Sequence, residues 1–416
     1  MITDMDWHEI SGGVTAPRGF RAAGITAGLK PSGLPDLALI LSDVDAIAAG
    51  VFTTSQVRAA CVEYCRQQLA TKPSARAILC NSGQANAATG AQGWEDAVTS
   101  ANALASAMNI AAEAVLLAST GVIGQRIKMD ALIAGIPAVI AAATHEGGDS
   151  AARAIMTTDL VSKSIAFETT IGDRAVRIGG MAKGSGMIHP NMATLLAFIT
   201  CDAAVSTTLW QQMLGRAADK SFNQITVDGD TSTNDTLIAL ANGESRTPAI
   251  VSSGGEADKL EAMLTAVCQY LAKAIARDGE GATCLMEVRV SGTNTDREAR
   301  QIAREVAGSS LLKAAIFGHD PNWGRIAMAA GKAGILFDQN NLAVQLGEIQ
   351  LMAQGQPLTF DRVAASNYLK AATQGEYLKT DTVLISVTVG SGSGAGIAWG
   401  CDLSYNYVKI NAEYTT

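Results

Sequence analysis

The sequence has little positive charge and very little histidine. Lysine and arginine together number 31 against 39 aspartates and glutamates, so the 416-residue chain has a formal net charge of −8. Nucleic acids and anionic membranes bind basic surfaces, and neither is therefore expected as a partner. The chain has only four histidines, too few to favour a histidine-based metal site or catalytic triad. Small polar metabolites fit this composition better, and we expect no metal.

Long apolar segments are also missing. The uncharged stretch ALIAGIPAVIAAATH is too short for a bilayer, and Gly135 and Pro137 interrupt it. The first residues, MITDMDWHEISGG, are acidic and lack the basic and apolar regions of a secretory signal. We therefore predict a cytoplasmic protein that does not associate with membranes.

The cysteines do not form a metal-binding or disulfide pattern. They are odd in number, seven, and no C-x-x-C pair occurs. Buried reduced thiols are therefore favoured over a disulfide framework or a zinc site. The cysteines are Cys61, Cys65, Cys80, Cys201, Cys268, Cys284 and Cys401.

Helical and strand patterns are interleaved along the chain. Helical apolar spacing is clearest in EADKLEAMLTAVCQYLAKAIARDGEG, which predicts a helix that stops at Gly279. A hairpin is predicted in SIAFETTIGDRAVRIGG, with its turn at Gly172 and Asp173. Because hairpins occur among the helices, we predict an α/β or α+β layered fold with mixed sheets. Further predicted elements are helices at 94–112, 208–220 and 297–316 and strands at 75–83, 114–120, 284–292 and 381–390.

One glycine-rich segment imitates a nucleotide-binding loop. In TVLISVTVGSGSGAG, a predicted strand leads into Gly390, Gly392 and Ala395 at the spacing of a dinucleotide fingerprint. A Rossmann unit needs a helix next and then another strand. The following residues, IAWGCDLSYNYVKINAEYTT, instead predict a strand at the end of the chain. A glycine-rich turn is the favoured interpretation.

Four polar segments are candidates for chemistry. STGVIG, at 119–124, is typical of a polar strand exit, but its threonine hydroxyl and glycine N–H could also stabilise a developing oxyanion. Solvated loops and helix caps account for MTTDL, VDGDTSTNDT and RDGEGAT. Asp228, Asp230 and Asn234 in the second of these loops suggest calcium, but the EF-hand glycine and glutamate are not in place.

The segment KGSGMIHPNMATLLAFIT sets a glycine-rich loop before an apolar strand that starts at Thr194. Threonine is a weak nucleophile without a base, and a single His189 in such a loop is more typical of a turn. Cleavage before Thr194 would supply its own α-amine, with a pKa of about 7.7–8.0, as the base. Flexible Gly184 and Gly186 would let Thr194 attack the carbonyl of Ala193. By spacing alone, a β-branched residue that begins a strand is the commoner explanation.

This segment resembles the self-cleavage region of the ornithine acetyltransferase family, the bifunctional arginine-biosynthesis proteins that also make N-acetylglutamate. The resemblance extends over nearly the whole chain. The other motifs that carry it are GGVTAPRGFRAAGITAGLK, DLALILSD, AGVFTTSQVRAA, NSGQANAATG, STGVIG, TTDL, VDGDTSTNDT, DGEGAT, IFGHDPNWGRI and WGCDLSYNYVKINAEYTT.

The resemblance implies a chain that cuts itself between Ala193 and Thr194. The products are an α chain, 1–193, and a β chain, 194–416, which fold together as one αβ unit. Two such units are expected to form a heterotetramer. The implied fold is an αββα sandwich, shared with the aminopeptidase DmpA group.

The resemblance also implies the reaction. Acetyl passes from N2-acetylornithine to glutamate by a ping-pong acetyl-enzyme mechanism, which yields ornithine and N-acetylglutamate. No cofactor is implied, and acetyl-CoA is a second acetyl donor in bifunctional members. Lys183 can pair with a carboxylate and Glu280 can receive an ammonium group. The implied roles are Thr194 as nucleophile, Thr120 and Gly121 as oxyanion hole, and Thr157, Lys183, Thr194, Glu280, Asn411 and Thr416 as substrate-binding residues.

Two other functions remain open. An N-terminal-nucleophile aminopeptidase or amidase would use the same threonine but pass the acyl group to water. An uncleaved amino-acid-binding or assembly protein would keep Thr194 as an ordinary strand residue. The implied substrate-binding residues favour acetyl transfer over hydrolysis; they are Lys183, Glu280, Asn411 and Thr416.

Overall fold

The computed structural model describes residues 6–189 and 195–413. Within these ranges the strands are β1 (Trp7–Ile10), β2 (Phe20–Ile25), β3 (Leu37–Phe52), β4 (Ser74–Gln84), β5 (Val115–Val122), β6 (Lys163–Ile171), β7 (Arg174–Lys183), β8 (Leu196–Cys201), β9 (Ile225–Thr226), β10 (Thr236–Ala241), β11 (Leu285–Gly292), β12 (Ala343–Leu346), β13 (Ile349–Ala353), β14 (Gln356–Pro357), β15 (Thr382–Thr388) and β16 (Gly392–Cys401). The α-helices are α1 (Ala60–Thr71), α2 (Gly90–Met108), α3 (Met129–Ala141), α4 (Gly148–Ala154), α5 (Thr207–Asp219), α6 (Gly255–Arg277), α7 (Asp296–Ala307), α8 (Ser310–Phe317), α9 (Trp323–Gly331), α10 (Arg362–Ala372) and α11 (Tyr405–Glu413). Short 3₁₀ helices lie at Gly13–Thr15, Ala112–Ala114, Phe222–Gln224 and Gln339–Asn341.

The first sheet has the strand order β1-β6-β7-β8-β10-β3-β4-β5, and β2 also pairs with β3. It is mixed, because β4–β5 and β8–β10 are parallel while its other pairs are antiparallel. The predicted hairpin is β6–β7, and its turn contains Gly172 with a φ of 61°. Strands β7 and β8, which precede and follow the 190–194 stretch, are antiparallel neighbours with Lys183 opposite Leu196.

The second sheet has the strand order β14-β13-β12-β15-β11-β16-β9. It is also mixed, because β11–β15 and β9–β16 are parallel and its other pairs are antiparallel. Glycines allow α7 to approach β16 closely. A Cβ on Gly396 would lie 2.4 Å from the backbone nitrogen of Arg300.

The sheets and helices stack in layers. Ile238 and Leu240 of β10 point into a core shared with α1–α4, whereas Leu237 and Ala239 point into a core shared with α5 and α6. Helix α6 also contacts β9, β11 and β16 of the second sheet, whose other face packs against α7–α10. The predicted α/β class with mixed sheets is confirmed: both sheets pack against helices, and α6 contacts strands of both sheets.

Several predicted elements are present in the structure, although some of them begin or end at other residues than predicted. The helix at 208–220 is α5, and the helix expected to stop at Gly279 is α6. The helix predicted at 94–112 is α2, but it begins earlier and ends at Met108, followed by Asn109 in the left-handed region at a φ of 54°. The glycine-rich segment around Gly390 is a turn between β15 and β16, as favoured.

Two predictions were wrong. The single helix at 297–316 is two helices, because α7 ends at Ala307 and the Ser309 side chain caps α8 by accepting the N–H of Leu312 at 3.4 Å. The strand predicted at the end of the chain stops at Cys401 and is followed by α11. This helix is short and none of its residues is buried, so it has no strong apolar period.

The cysteine prediction is confirmed, since all seven thiols are free and buried. Within residues 6–189 and 195–413, no helix combines the length and apolar character needed to cross a bilayer.

Candidate active site

All the predicted site residues that lie within the described ranges line one cavity of about 390 Å³. They come from β5, the loop before β6, the end of β7, the segment after α6, and α11. The other three predicted site residues, Ala193, Thr194 and Thr416, lie outside the described residues. The residues brought together are Thr120, Gly121, Thr157, Lys183, Glu280 and Asn411.

The strand exit at Thr120 and Gly121 belongs to the cavity wall. Gly121 has a φ of 131°, and a Cβ there would lie 2.3 Å from the carbonyl carbon of Gly83 on the paired strand β4. Only glycine therefore fits, because both the conformation and the close strand approach exclude a side chain. Thr120 is buried and presents its hydroxyl to Lys183. The wall thus holds a hydroxyl and a glycine backbone side by side.

Lys183 is the cation of the cavity. Its ammonium donates to Thr157 Oγ1 at 2.8 Å and to Thr120 Oγ1 at 3.3 Å, and the residue is only 4% exposed. Burial lowers the pKa of Lys183, while the nearby carboxylate of Asp159 acts in the opposite direction. Two hydroxyls and an ammonium therefore converge on one point of the wall.

Glu280 is the anion of the cavity. Its Oε2 accepts a hydrogen bond from Asn411 Nδ2 at 2.8 Å, which joins α11 to the segment after α6. Its backbone N–H donates to the carbonyl of Ser185 at 2.8 Å. The carboxylate also lies against Gly186, where a Cβ would be 2.5 Å from its carboxyl carbon. The cavity therefore has a positive wall at Lys183 and a negative wall at Glu280.

We expected the loop before residues 190–194 to be flexible. Its backbone N–H groups instead donate hydrogen bonds to aspartate side chains, which hold the loop in place. Asp159 Oδ1 accepts the N–H of Gly184 at 2.7 Å, and Asp228 accepts the N–H groups of Met187 at 2.6 Å and Ile188 at 2.9 Å. Met187 has a φ of 57°, in the left-handed region. The loop is therefore held in a defined path up to His189.

His189 is half-buried at the end of this loop. Its Nδ1 lies 3.2 Å from Thr226 Oγ1, and burial lowers the pKa of the imidazole. The ring therefore has a local structural partner, in agreement with the turn role favoured from the sequence.

The residue after Thr194 in the sequence is also fixed. The N–H of Leu195 donates to Asp235 Oδ1 at 2.9 Å, and both residues are buried. Burial raises the pKa of Asp235 well above its usual value. The preceding Asn234 lines the cavity and donates to the carbonyls of Ala85 and Ser119 at 2.6 and 2.8 Å. These two residues were missed as site components, although they lie in the polar motif VDGDTSTNDT.

The explanation by solvated acidic loops was wrong for one aspartate in each of the three motifs, since Asp235 of the second motif is fully buried and accepts the N–H of Leu195. Asp159 and Asp278 are 9% and 5% exposed, and each accepts backbone N–H groups inside the protein. Short polar motifs look alike in sequence whether water or backbone satisfies their carboxylates. Among the described residues, no group of three or more histidine, cysteine, aspartate or glutamate side chains is placed to hold a metal ion.

Gly186→Ala is expected to displace the Glu280 carboxylate while the fold is retained. The new methyl group would overlap the carboxyl group at 2.5 Å, and Gly186 does not have a positive φ that alanine would disfavour. Because the carboxyl group ends a flexible side chain, it can move away at little cost to folding, but it then leaves its position in the cavity, so binding of an ammonium ligand at Glu280 should weaken about tenfold. Calorimetric titration with ornithine measures this, with Gly215→Ala in α5, where a Cβ meets nothing within 4 Å, as the control. Equal affinities in the two variants would contradict the prediction.

Comparisons with known proteins cover nearly the whole chain. A model of the ArgJ family matches residues 21–416. Arginine biosynthesis bifunctional protein ArgJ 1 of Nostoc sp. is 74% identical over 411 residues, which are 99% of this chain and 100% of that protein. The chloroplastic ArgJ protein of Sorghum bicolor is 58% identical over 420 residues, 100% of this chain and 90% of that protein. A crystal structure of ornithine acetyltransferase from Mycobacterium tuberculosis, complexed with ornithine, is 45% identical, covers 46% of this chain and 100% of that chain, and has a TM-score of 0.42.

Proposed function

This chain belongs to the ArgJ family, and from that premise we propose that it is the enzyme of arginine biosynthesis that moves acetyl from N2-acetylornithine to glutamate. The observation that carries the proposal is the pairing of charges in one cavity. Lys183 and Glu280 line it together with the hydroxyl of Thr120. A substrate that carries both a carboxylate and an ammonium group complements these two walls.

The proposal makes Thr194 the nucleophile after self-cleavage. Its hydroxyl oxygen attacks the carbonyl carbon of Ala193, the C–N bond breaks, and an ester joins the two residues. Water then hydrolyses this ester, which leaves Ala193 as a carboxylate and Thr194 with a free amine and hydroxyl. The anchored loop up to His189 and the hydrogen bond from Leu195 to Asp235 support a fixed geometry on both sides of the bond.

The new amine is proposed as the base for acetyl transfer. Thr194 Oγ attacks the acetyl carbonyl of N2-acetylornithine, and the amide C–N bond breaks so that ornithine leaves with the proton. The resulting acetyl-threonine ester is attacked by the amine of glutamate, which gives N-acetylglutamate and restores the hydroxyl. In both halves, Thr120 and Gly121 are proposed to stabilise the tetrahedral oxyanion. No cofactor is required, and acetyl-CoA is proposed as a second acetyl donor.

The α chain, 1–193, and the β chain, 194–416, are proposed to stay together as one αβ unit. The pairing of β7 with β8 supports this, because a cut at 193/194 separates two strands that are hydrogen-bonded neighbours. The further pairing of β10 with β3 crosses the same division. We propose that two αβ units form the heterotetramer.

Acetyl transfer is tested with N2-acetylornithine and isotope-labelled glutamate. The proposal expects labelled N-acetylglutamate and ornithine in equal amounts. Release of acetate without labelled product would assign the protein to the amidase class instead. A parallel assay with acetyl-CoA and glutamate tests the second donor separately.

Glu280→Gln is expected to raise the KM for N2-acetylornithine by about 10- to 100-fold, because a hydrogen bond to a charged group contributes about 1.5–3 kcal/mol. The side chain keeps its shape and can still accept from Asn411, so chain cleavage should be intact. We expect kcat to change less than about threefold. Steady-state kinetics measure both constants, with Glu256→Gln on the exposed first turn of α6 as the matched control. An unchanged KM would remove Glu280 from the substrate site.

A further inference from the structure

A buried cluster of charges lies beside the cavity and does not line it. Lys163, at the start of β6, donates from Nζ to Asp159 Oδ1 at 2.7 Å and to Asp278 Oδ2 at 2.6 Å. The side-chain exposures are 0%, 0% and 3% in the order Lys163, Asp159 and Asp278. A third contact joins the same ammonium to the carbonyl of Val161 at 3.2 Å. A lysine has three donors, so these contacts leave it no donor for a ligand.

Each acid of the cluster holds a different wall of the cavity. Asp159 accepts the N–H groups of Thr157 at 3.0 Å and Gly184 at 2.7 Å. Gly184 follows Lys183 in the sequence, and the Thr157 hydroxyl accepts from the Lys183 ammonium. Asp278 follows directly after α6, two residues before Glu280, and it accepts the N–H of Leu160 at 3.0 Å.

The link between Asp278 and Glu280 is stiff. A Cβ on the intervening Gly279 would lie 2.6 Å from Cys401 Sγ, so this backbone packs tightly against β16. Asp278 and Glu280 are thus joined through a single, closely packed residue. The only side chain that bonds both Asp159 and Asp278 in the described part of the chain is Lys163.

We propose that Lys163 is a positioning residue that fixes the separation between the Lys183 ammonium and the Glu280 carboxylate, and so selects diamino acids by chain length. The inference rests on the proposed function and deepens it. A ligand whose carboxylate and terminal ammonium bind these two walls must have the number of methylenes that spans them. In a hydrophobic pocket, one methylene too many or too few changes discrimination by roughly 10- to 200-fold, and we expect an effect at the lower end of this range between two fixed charged walls. A site whose two charged walls can move apart discriminates less between ligands of different chain length.

The test is a double variant that removes the bridge without leaving an unpaired charge. Lys163→Met alone would bury two carboxylates without their cation and could prevent folding. Lys163→Met with Asp278→Asn removes one charge of each sign, and the asparagine oxygen can still accept the N–H of Leu160. Asp159 retains Lys183 as a neighbouring cation.

The control removes an ion pair elsewhere whose acid is equally buried, although its cation, Arg18, is 39% exposed. Arg18 donates to Asp202 Oδ2 at 2.9 Å, and this fully buried acid also accepts backbone N–H groups from Arg18 and Arg177. Neither residue of the pair lines the active cavity. Arg18→Met with Asp202→Asn therefore reproduces the loss of an ion pair without touching either wall.

The probes are 2,4-diaminobutyrate, ornithine and lysine, which differ by single methylenes. Calorimetry gives their affinities for the wild-type protein and both double variants, and kinetics with the N2-acetylated forms give KM and kcat. We expect the wild type and the control to favour ornithine by at least about tenfold. The Lys163/Asp278 variant should lose most of this preference, with a raised KM for N2-acetylornithine and kcat changed less than about threefold.

Retained preference in the folded Lys163/Asp278 variant would overturn the inference, and so would a wild type that binds all three probes equally. Equal loss of preference in the Arg18/Asp202 control would assign the effect to general destabilisation and would also overturn it. Failure of the proposed function has a different signature, because the wild type would then bind ornithine selectively but transfer no acetyl group.

Discussion

Thr194→Ala is expected to yield one uncut chain whose acetyl transfer is lower by about 10⁴-fold or more. The substitution removes the hydroxyl that attacks Ala193 and the hydroxyl that would carry the acetyl group, so both reactions are lost together. Loss of a nucleophile in a concerted catalytic group has effects of this size. Denaturing mass spectrometry measures the cleavage, because the intact chain has a mass of 43.0 kDa and the cut chain gives two fragments that meet at 193/194.

Thr194→Ser is the matched control, because it keeps the hydroxyl and loses only a methyl group. We expect it to cleave and to transfer acetyl at a reduced rate. A Thr194→Ala protein that still transfers acetyl would show that another residue is the nucleophile. A wild-type protein that is active but has a single N-terminus at Met1 would refute self-cleavage itself. An uncut wild-type protein without turnover would favour the uncleaved binding-protein alternative.

Thr120→Val is expected to lower kcat by about 10²- to 10³-fold with little change in KM. The substitution keeps the β-branched shape at the end of β5 and removes only the hydroxyl that faces Lys183 at 3.3 Å. One oxyanion donor contributes an effect of about this size in acyl transfer. Because ground-state binding depends on the charged walls, the loss should fall on the chemical step. Single-turnover measurement of acetyl-enzyme formation checks this directly.

Two variants separate chemistry from packing at this position. Thr120→Ser keeps the hydroxyl and should retain most of the activity. Ser119→Ala removes a neighbouring hydroxyl that donates to Asn81 Oδ1 at 2.7 Å and points to the opposite face of the strand. It should reduce stability by about 1 kcal/mol and leave kcat unchanged. If Ser119→Ala lowers kcat as much as Thr120→Val does, the effect of Thr120 is structural.

Much of the site could be predicted from sequence because its residues lie in compact motifs. Thr120 with Gly121, Thr157, Lys183 and Glu280 each occur in a short polar segment next to a strong strand or helix pattern. The family resemblance then assigned them roles that spacing alone had left open. Asn234 and Asp235 were in a motif of the same kind, but nothing in the order of residues shows that Asn234 reaches the carbonyls of two other strands.

The errors in secondary structure have a local cause. The predicted helix at 297–316 follows a continuous apolar spacing, and the break at Gly308 depends on the Ser309 cap, which competes with helix continuation. Helix α11 has no buried residue and follows directly after a strand, so periodicity alone does not reveal it. Its Asn411 nevertheless reaches Glu280 across 131 positions.

The sequence by itself determined the layered α/β class, the reduced cysteines, the family and the candidate nucleophile at Thr194, because alternation, composition and motifs are properties of neighbouring residues. Tertiary structure alone decided that Lys183 and Glu280 share one cavity and that Lys163 joins Asp159 to Asp278, which lies 115 positions after Lys163 in the sequence. The sequence does not distinguish an aspartate whose carboxylate is buried from one whose carboxylate is in water. Only the fold determines which distant groups replace water around them.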